Sequence, residues 1–185
     1  RLAVIDVGQF TNACYGLQPG TEIYIRCPYG TPVQPPEDAK VLCVAGGTGL
    51  AAVYQIARDF GSDTQPAEIF AGARSADRLY FIDECEAVAQ VTVATDDGSA
   101  GFHGRVTEAL EQRLAAMSAD ERAGLMFYNC GPAPMIHAAE AVQRRYCEPH
   151  QIFSAIDYVT KCGVGICGAC ASPDGRRICM DGPFI

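Results

Sequence analysis

The stretch KVLCVAGGTGLAAVYQIARDFG, residues 40–61, decides the fold. Residues 41–45 form an apolar run without polar alternation, as expected for a strand that is buried on both faces. Residues 46–49 are a Gly-rich turn, and residues 50–60 have the length and pattern of a helix that ends at Gly61. Strand, turn and helix together predict the first part of a βαβ unit.

The same alternation continues along the chain. Further strands are predicted at residues 68–72, 90–95, 124–129 and 152–154, and further helices at residues 78–87, 105–117 and 135–145. Strands that alternate with helices favour a parallel sheet with helices on both faces. We therefore predict an α/β fold with a parallel sheet for residues 37–155.

Residues 1–36 have a different pattern. Two strand-like runs, 2–7 and 22–27, flank a short helix predicted at 12–17 with Thr11 as its N-cap. Two strands and one helix cannot close a core alone, so this segment is predicted to be the end of a domain whose beginning is absent from the sequence. The first residue is Arg1 rather than Met, so we expect chain before it, and a removed leader stays open.

Composition limits the function classes. The chain has 185 residues, 49% of them apolar, and a net charge of −8, which disfavours nonspecific nucleic-acid binding and suits docking on selected protein partners. No run reaches the roughly 18 apolar residues of a membrane span. Six of the ten cysteines are scattered singly, which is typical of reduced proteins, so we expect a cytoplasmic location.

The remaining four cysteines lie in a Gly-rich tail, and the domain boundary for this tail is predicted at residues 156–185. The first three have the spacing C-x4-C-x2-C, and the fourth follows after eight residues, which is the order of a plant-type [2Fe-2S] loop. Intervening glycines let the backbone aim N–H groups at sulfur. The predicted iron ligands are Cys162, Cys167, Cys170 and Cys179.

The same four thiols are also compatible with three alternative states. Four thiolates can hold structural zinc, although zinc sites more often present two separated cysteine pairs. The thiols could instead form two disulfides, or they could remain unliganded. The spacing favours the iron–sulfur cluster over all three.

Three loops follow predicted strands and would meet at the ligand-binding edge of a parallel sheet. The first opens a helix whose N terminus suits a pyrophosphate, the second offers carboxylates to a ribose, and the third ends a strand. Each has a purely structural alternative: steric need for Gly, a solvated turn, or a small filler side chain. The candidate residues are Gly46, Gly47, Thr48 and Gly49, then Asp96, Asp97 and Gly98, then Cys130, Gly131 and Pro132.

Together, these loops and residues 179–184, CMDGPF, resemble the electron-transfer subunits of class 1B dihydroorotate dehydrogenases, in the ferredoxin reductase superfamily. The sequence is similar also to the small subunit of NADH-dependent ferredoxin:NADP oxidoreductase. The resemblance covers nearly the whole chain. Its specific part is the cysteine tail, because the nucleotide loops are shared across the superfamily.

The resemblance implies that residues 1–36 are the end of a FAD-binding β-barrel and that residues 37–155 are a nicotinamide-nucleotide-binding domain. It also implies site residues for both cofactors. It implies that Gly8, Phe10 and Thr11 touch the FAD pyrophosphate, and that Cys130 lies beside the nicotinamide ring. Gly131 and Pro132 would bound that pocket, with Met135 among the cofactor-binding residues. The arginine-aromatic-serine motif of the family's barrel is absent, so only part of the FAD site is expected in this sequence.

One cationic residue bears on the choice between NAD and NADP. No acidic residue ends the predicted strand 68–72, and Arg74 could accept a 2′-phosphate, which favours NADP. The resemblance implies NAD(H), which we adopt as the prediction, with NADP(H) as the alternative.

These observations predict an oxidoreductase subunit that passes electrons between NAD(H), FAD and a [2Fe-2S] cluster. The implied partner is a catalytic subunit in a hetero-oligomer, dihydroorotate dehydrogenase of pyrimidine biosynthesis. The alternatives are a subunit of another flavin-based complex, or a noncatalytic module with structural zinc. No nucleophile, base and acid come together in sequence, so no catalytic side chain is predicted.

Overall fold

The computed structural model describes residues 3–62, 64–156 and 158–185. Within them, six strands alternate with helices for most of the chain. The strands are β1 (Lys40–Gly46), β2 (Ala67–Ala73), β3 (Ala89–Thr95), β4 (Phe102–His103), β5 (Leu125–Cys130) and β6 (Ile152–Ala155). The α-helices are α1 (Gln9–Tyr15), α2 (Gly49–Phe60), α3 (Ile82–Glu86), α4 (Val106–Ala116), α5 (Ala119–Ala123), α6 (Ala133–Gln143) and α7 (Ile178–Asp181).

The strands form one sheet in the order β4-β3-β2-β1-β5-β6, and every neighbouring pair is parallel. β1 pairs with β2 on one side and with β5 on the other, so the carboxyl ends of these three strands lie together. The predicted parallel α/β sheet is confirmed.

Side chains of β1 alternate between two apolar cores. Leu42 and Val44 pack on the face covered by α4 and α6, whereas Val41, Cys43 and Ala45 pack on the face covered by α2 and α3. Because both faces are covered, β1 needs apolar residues at every position, which explains its continuous apolar run. Helices on both faces of the sheet were predicted, and this is confirmed.

The N-terminal predictions were wrong in two respects. Among the described residues, neither 3–7 nor 22–27 forms a strand, because no neighbouring strand pairs with their backbone groups. The helix begins at Gln9 rather than residue 12, so Thr11 is its third residue and not its N-cap. Gly8 is the cap, and the Thr11 hydroxyl accepts hydrogen bonds from the N–H groups of Val7 and Gly8, each at 3.0 Å.

The helix predicted at residues 78–87 is interrupted. A 3₁₀ turn spans Ala76–Arg78, and α3 begins only at Ile82, because Phe81 has a left-handed backbone with φ of 70°. The Phe81 ring packs edge to face on Tyr54 of α2, with ring centroids 5.2 Å apart. Three short elements were not predicted: β4, α5 and α7.

Helix length also bears on membranes. Within the described ranges, no helix combines the length and apolar character needed to cross a bilayer.

A carboxylate inside the sheet joins two strands and a helix. Glu68 of β2 is only 5% exposed. Its carboxylate accepts two hydrogen bonds from Arg113 of α4, at 2.8 and 3.0 Å, and forms an ion pair with Lys40 of β1. Burial raises the pKa of this carboxyl, but the hydrogen bonds from Arg113 and Lys40 outweigh burial, so its pKa lies below the ordinary 4.5. The ionised form therefore stabilises the fold.

We expect Glu68→Gln to lower the free energy of unfolding by about 1–2 kcal/mol near neutral pH, since a charged hydrogen-bond acceptor is lost. A carboxyl with a depressed pKa stabilises above its unfolded pKa and loses that contribution as pH falls through its folded pKa. The difference in the free energy of unfolding between wild type and variant should therefore disappear as the pH falls below 4.5. Urea unfolding across this range measures it, and a gap independent of pH would contradict the assignment.

Candidate functional site

A cleft of about 750 Å³ opens at the carboxyl edge of the sheet. Its walls come from the loops after β1, β2 and β3 and from the first turns of α4 and α6. The lining residues are Gly46, Gly47, Gly72, Ala73, Arg74, Ser75, Asp77, Arg78, Tyr80, Asp96, Arg105, Val106, Thr107, Pro132, Pro134, Met135 and Ala138. Glycines and apolar side chains thus meet several charged groups in one concave site, the usual form of a cofactor pocket.

The structure brings five of the predicted nucleotide contacts to this cleft. They are Gly46, Gly47, Asp96, Pro132 and Met135. Thr48, Gly49, Asp97, Gly98, Cys130 and Gly131 lie in the same loops but do not line the cleft.

Two of the other predicted residues have local structural roles. The Asp97 carboxylate accepts hydrogen bonds from the hydroxyl and backbone N–H of Ser99, and these bonds lower its pKa. Gly49 passes close to β5, where a Cβ would lie 2.1 Å from the carbonyl oxygen of Cys130. A glycine is therefore required there for the β1 turn to cross the end of β5.

Three arginines give the cleft a cationic side. Arg74 was anticipated from the sequence, but Arg78 and Arg105 were missed. Arg78 lies in the 3₁₀ turn after β2, where its guanidinium is 3.5 Å from Asp77, and Arg105 precedes the first residue of α4. Their position in the sequence could have identified them as cleft residues, because both follow predicted strands at the carboxyl edge. Arginines beside a helix N terminus and a Gly-rich turn are suited to phosphate groups.

Backbone N–H groups in the cysteine tail point at sulfur. The N–H of Cys167 lies 3.5 Å from Sγ of Cys162. Hydrogen bonds from the backbone of Val164, Cys167 and Ile166 lower the pKa of the Cys162 thiol to about 6. This arrangement stabilises a thiolate, which is the form that binds a metal.

Cys170 and Cys179 are both buried, at 2% exposure, and form a second thiol pair. Burial and the neighbouring Cys170 raise the pKa of the Cys179 thiol, against a hydrogen bond from the backbone of Gly165. In the described ranges, no three Cys, His, Asp or Glu side chains gather into one metal-binding group. All ten cysteines are free thiols, so the disulfide alternative was wrong. Four thiols and N–H donors at two of them fit the donor needs of an iron–sulfur centre.

The tail is fastened to residues 26–31. Arg26 Nη2 donates to the carbonyl oxygens of Lys161 at 2.7 Å and Cys162 at 2.8 Å. Gly30 N–H donates to the Cys179 carbonyl at 2.9 Å, and Thr31 N–H to the Gly182 carbonyl at 2.7 Å. Hydrogen bonds at both ends of the cysteine loop thus fix it to the segment before β1.

The residues predicted to touch FAD lie at α1. Gly8 caps this helix, and the Phe10 ring is 81% exposed. Large apolar side chains are exposed over much of this N-terminal segment, including Val7 and Tyr24. The segment therefore presents apolar surface that the described residues leave uncovered.

Comparison with known proteins gives the family. Residues 43–141 match the family model of the oxidoreductase NAD-binding domain. A protein of Methanocaldococcus jannaschii, named probable dihydroorotate dehydrogenase B (NAD+) electron transfer subunit, is 36% identical over 184 residues, which is 99% of this chain and 68% of the relative. A protein of the same name from Pyrococcus abyssi is 38% identical over 100% of this chain and 68% of its own. The chain belongs to the family of dihydroorotate dehydrogenase B electron transfer subunits.

A solved structure supports the fold of this member of the dihydroorotate dehydrogenase B electron transfer family. It is an NADH-dependent reduced ferredoxin-NADP oxidoreductase, studied for flavin-based electron bifurcation. The match has 30% identity and a TM-score of 0.80, and it covers 98% of this chain and 65% of the other. The predicted family and the ferredoxin-reductase-like fold are thus confirmed.

In this electron transfer family member, we expect Gly163→Ala to destabilise the cysteine tail more than Gly168→Ala. Both glycines have left-handed backbones, with φ of 68° and 72°, so alanine costs each about 1–2 kcal/mol of strain. Only at Gly163 would the new Cβ also clash, 2.3 Å from Cε1 of Tyr29, whereas nothing lies within 4 Å at Gly168. Thermal unfolding and amide exchange over residues 161–170 measure the difference. Equal losses would contradict the contact with Tyr29.

Proposed function

We propose that this chain passes electrons between NAD(H), FAD and a [2Fe-2S] cluster, to or from the catalytic subunit of dihydroorotate dehydrogenase. The observation that carries the proposal is the C-x4-C-x2-C loop with N–H groups aimed at Cys162, on a chain of this family. The flavin, when bound, divides a two-electron hydride into single electrons, which the cluster takes one at a time. The residues of this chain position and tune these groups.

The cleft at the carboxyl edge is the proposed nucleotide site. Its Gly46–Gly47 turn lets a pyrophosphate approach the backbone, and Arg74, Arg78 and Arg105 supply positive charge along the same wall. Pro132 and Met135 form the apolar wall beside the end of β5, where the nicotinamide would lie near Cys130. The shape and the charges thus suit a dinucleotide.

Asp96 is the proposed ribose contact and the reason to favour NAD(H). Asp96 lines the cleft, where a carboxylate can accept hydrogen bonds from both hydroxyls of a ribose but would repel a 2′-phosphate. The curated relatives are also named as NAD+ proteins. NADP(H) remains the alternative on account of the three arginines.

The cluster ligands we propose are Cys162, Cys167, Cys170 and Cys179, in a tail of residues 156–185. Residues 1–36 would contribute the end of a FAD-binding barrel, with Gly8, Phe10 and Thr11 at the flavin pyrophosphate. The nucleotide-binding domain would lie between them, at residues 37–155. The exposed apolar side chains of the N-terminal segment support a further layer of protein against it.

Two alternatives have support of their own. The ferredoxin-NADP oxidoreductase match favours a different electron acceptor for the same relay. Four thiols also permit structural zinc, which would make the tail a docking module. Identification of the chain that co-purifies with this one distinguishes dihydroorotate dehydrogenase from another acceptor.

Cys162→Ser should abolish most of the iron and acid-labile sulfide of the anaerobically purified protein, since one of four thiolate ligands is lost. Iron and sulfide assays and the visible absorption spectrum measure this. Cys14→Ser, which changes a cysteine in α1, is the matched control and should keep the wild-type content. A colourless wild-type protein with stoichiometric zinc would reject the relay.

Asp96→Asn should weaken NADH binding about tenfold, because a hydrogen bond to a charged group contributes about 1.5–3 kcal/mol. It should also narrow the preference for NADH over NADPH, since the charge that repels a 2′-phosphate is removed. Isothermal titration with both nucleotides measures the dissociation constants. Asp97→Asn is the control, because that carboxylate faces Ser99 outside the cleft lining. Tighter binding of NADPH to the wild type would favour the NADP alternative.

A further inference from the structure

A guanidinium from the N-terminal segment sits against the first cysteine of the tail. Arg26 Nη2 donates to the carbonyls of both Lys161 and Cys162, across 135 and 136 residues of sequence. The groups that interact electrostatically with this guanidinium include the Tyr29 hydroxyl and the thiols of Cys162 and Cys179. The positive charge therefore lies beside the first thiol of the tail and interacts with two of its four cysteines.

Tyr29 holds the guanidinium in this orientation. Arg26 Nε donates to the Tyr29 hydroxyl, and the guanidinium carbon lies 5.4 Å from the centroid of the ring. The same ring packs against Gly163, the residue after the first thiol. Because both side chains contact residues 161–163, the guanidinium has a fixed position against the cysteine loop.

A charge in this place acts on any centre that gains an electron. Reduction adds one negative charge to the thiolate-bound centre, and a nearby cation stabilises the reduced form more than the oxidised form. Protein charges and hydrogen bonds around the sulfurs are known determinants of cluster potential. A second guanidinium, Arg177, binds the Gly165 carbonyl at 3.1 Å, but Arg26 is the one that contacts the backbone of a thiol-bearing residue.

We infer that the positive charge of Arg26 raises the reduction potential of the centre in the cysteine loop. This inference rests on the proposed function, because it requires that the loop hold a one-electron centre. It adds a residue from the N-terminal segment, outside the four thiols, to the machinery of electron transfer. Tyr29 orients the Arg26 side chain, and the effect on the reduction potential comes from the charge of Arg26.

The test is a redox titration of the whole chain with its cluster, followed by electron paramagnetic resonance of the reduced centre. Arg26→Gln should lower the reduction equilibrium constant about tenfold, equal to about 59 mV for a one-electron couple. Arg26→Lys keeps the charge and should stay closer to wild type. Because Arg26 is exposed, salt should screen its charge, since the Debye length falls from about 10 Å at 0.1 M to about 3 Å at 1 M. The difference in reduction potential between wild type and Arg26→Gln should therefore narrow over this range of salt.

Arg58→Gln is the matched control. It makes the same change in net charge on α2, where Arg58 pairs with Asp59 rather than with the tail. Its potential should equal that of wild type. Iron and sulfide are assayed on every variant before titration, which separates a change of potential from loss of the centre.

The outcomes distinguish this inference from the proposed function. A wild-type chain without iron and sulfide overturns the proposed function. A wild-type centre whose potential is unchanged in Arg26→Gln, or whose shift is insensitive to salt, overturns the role of Arg26 and leaves the relay intact. An Arg26→Gln chain that cannot hold iron, beside an Arg26→Lys chain that can, also overturns it, because Arg26 would then serve assembly.

Discussion

Burial of β1 on both faces is the constraint from which the site follows. Its five residues 41–45 are at most 2% exposed, so side chains cannot reach water in either direction. The backbone groups of β1 must then pair within the sheet on both edges, which β2 and β5 provide. Because the pairing is parallel, the loops after these strands begin at one edge, and together with the loop after β3 they enclose the cleft.

The cysteine tail depends on a different kind of interaction. Few apolar side chains of the tail are buried, and the exposed Val164 and Ile166 show how little core it has. Its cysteine loop is instead held by backbone hydrogen bonds from residues 26–31 and by the Arg26 side chain, while the Phe184 ring at its end packs on Tyr128. The strands around the cleft are thus held by apolar burial, whereas the cysteine loop is held mainly by polar contacts.

Sequence reasoning succeeded where a structure depends on local pattern. The apolar runs of β1, β2 and β5 predicted these strands to within one or two residues, since an apolar run bounded by Gly is a local signal. The N-terminal strands failed because a strand also needs a neighbour, which no local pattern supplies. The break at Phe81 depends on tertiary packing against Tyr54. The contact between Arg26 and Cys162 joins residues 136 positions apart, which spacing alone could not reveal.

The end of the tail also pairs with the sheet. Ile185 exchanges two backbone hydrogen bonds with Ser154 of β6, at 3.0 and 3.1 Å, on the outer side of the last strand. An unpaired outer strand is a template on which a second chain can add itself. The tail therefore occupies the outer side of β6 at Ser154, and a chain whose tail came loose would expose that edge to pairing with a second chain.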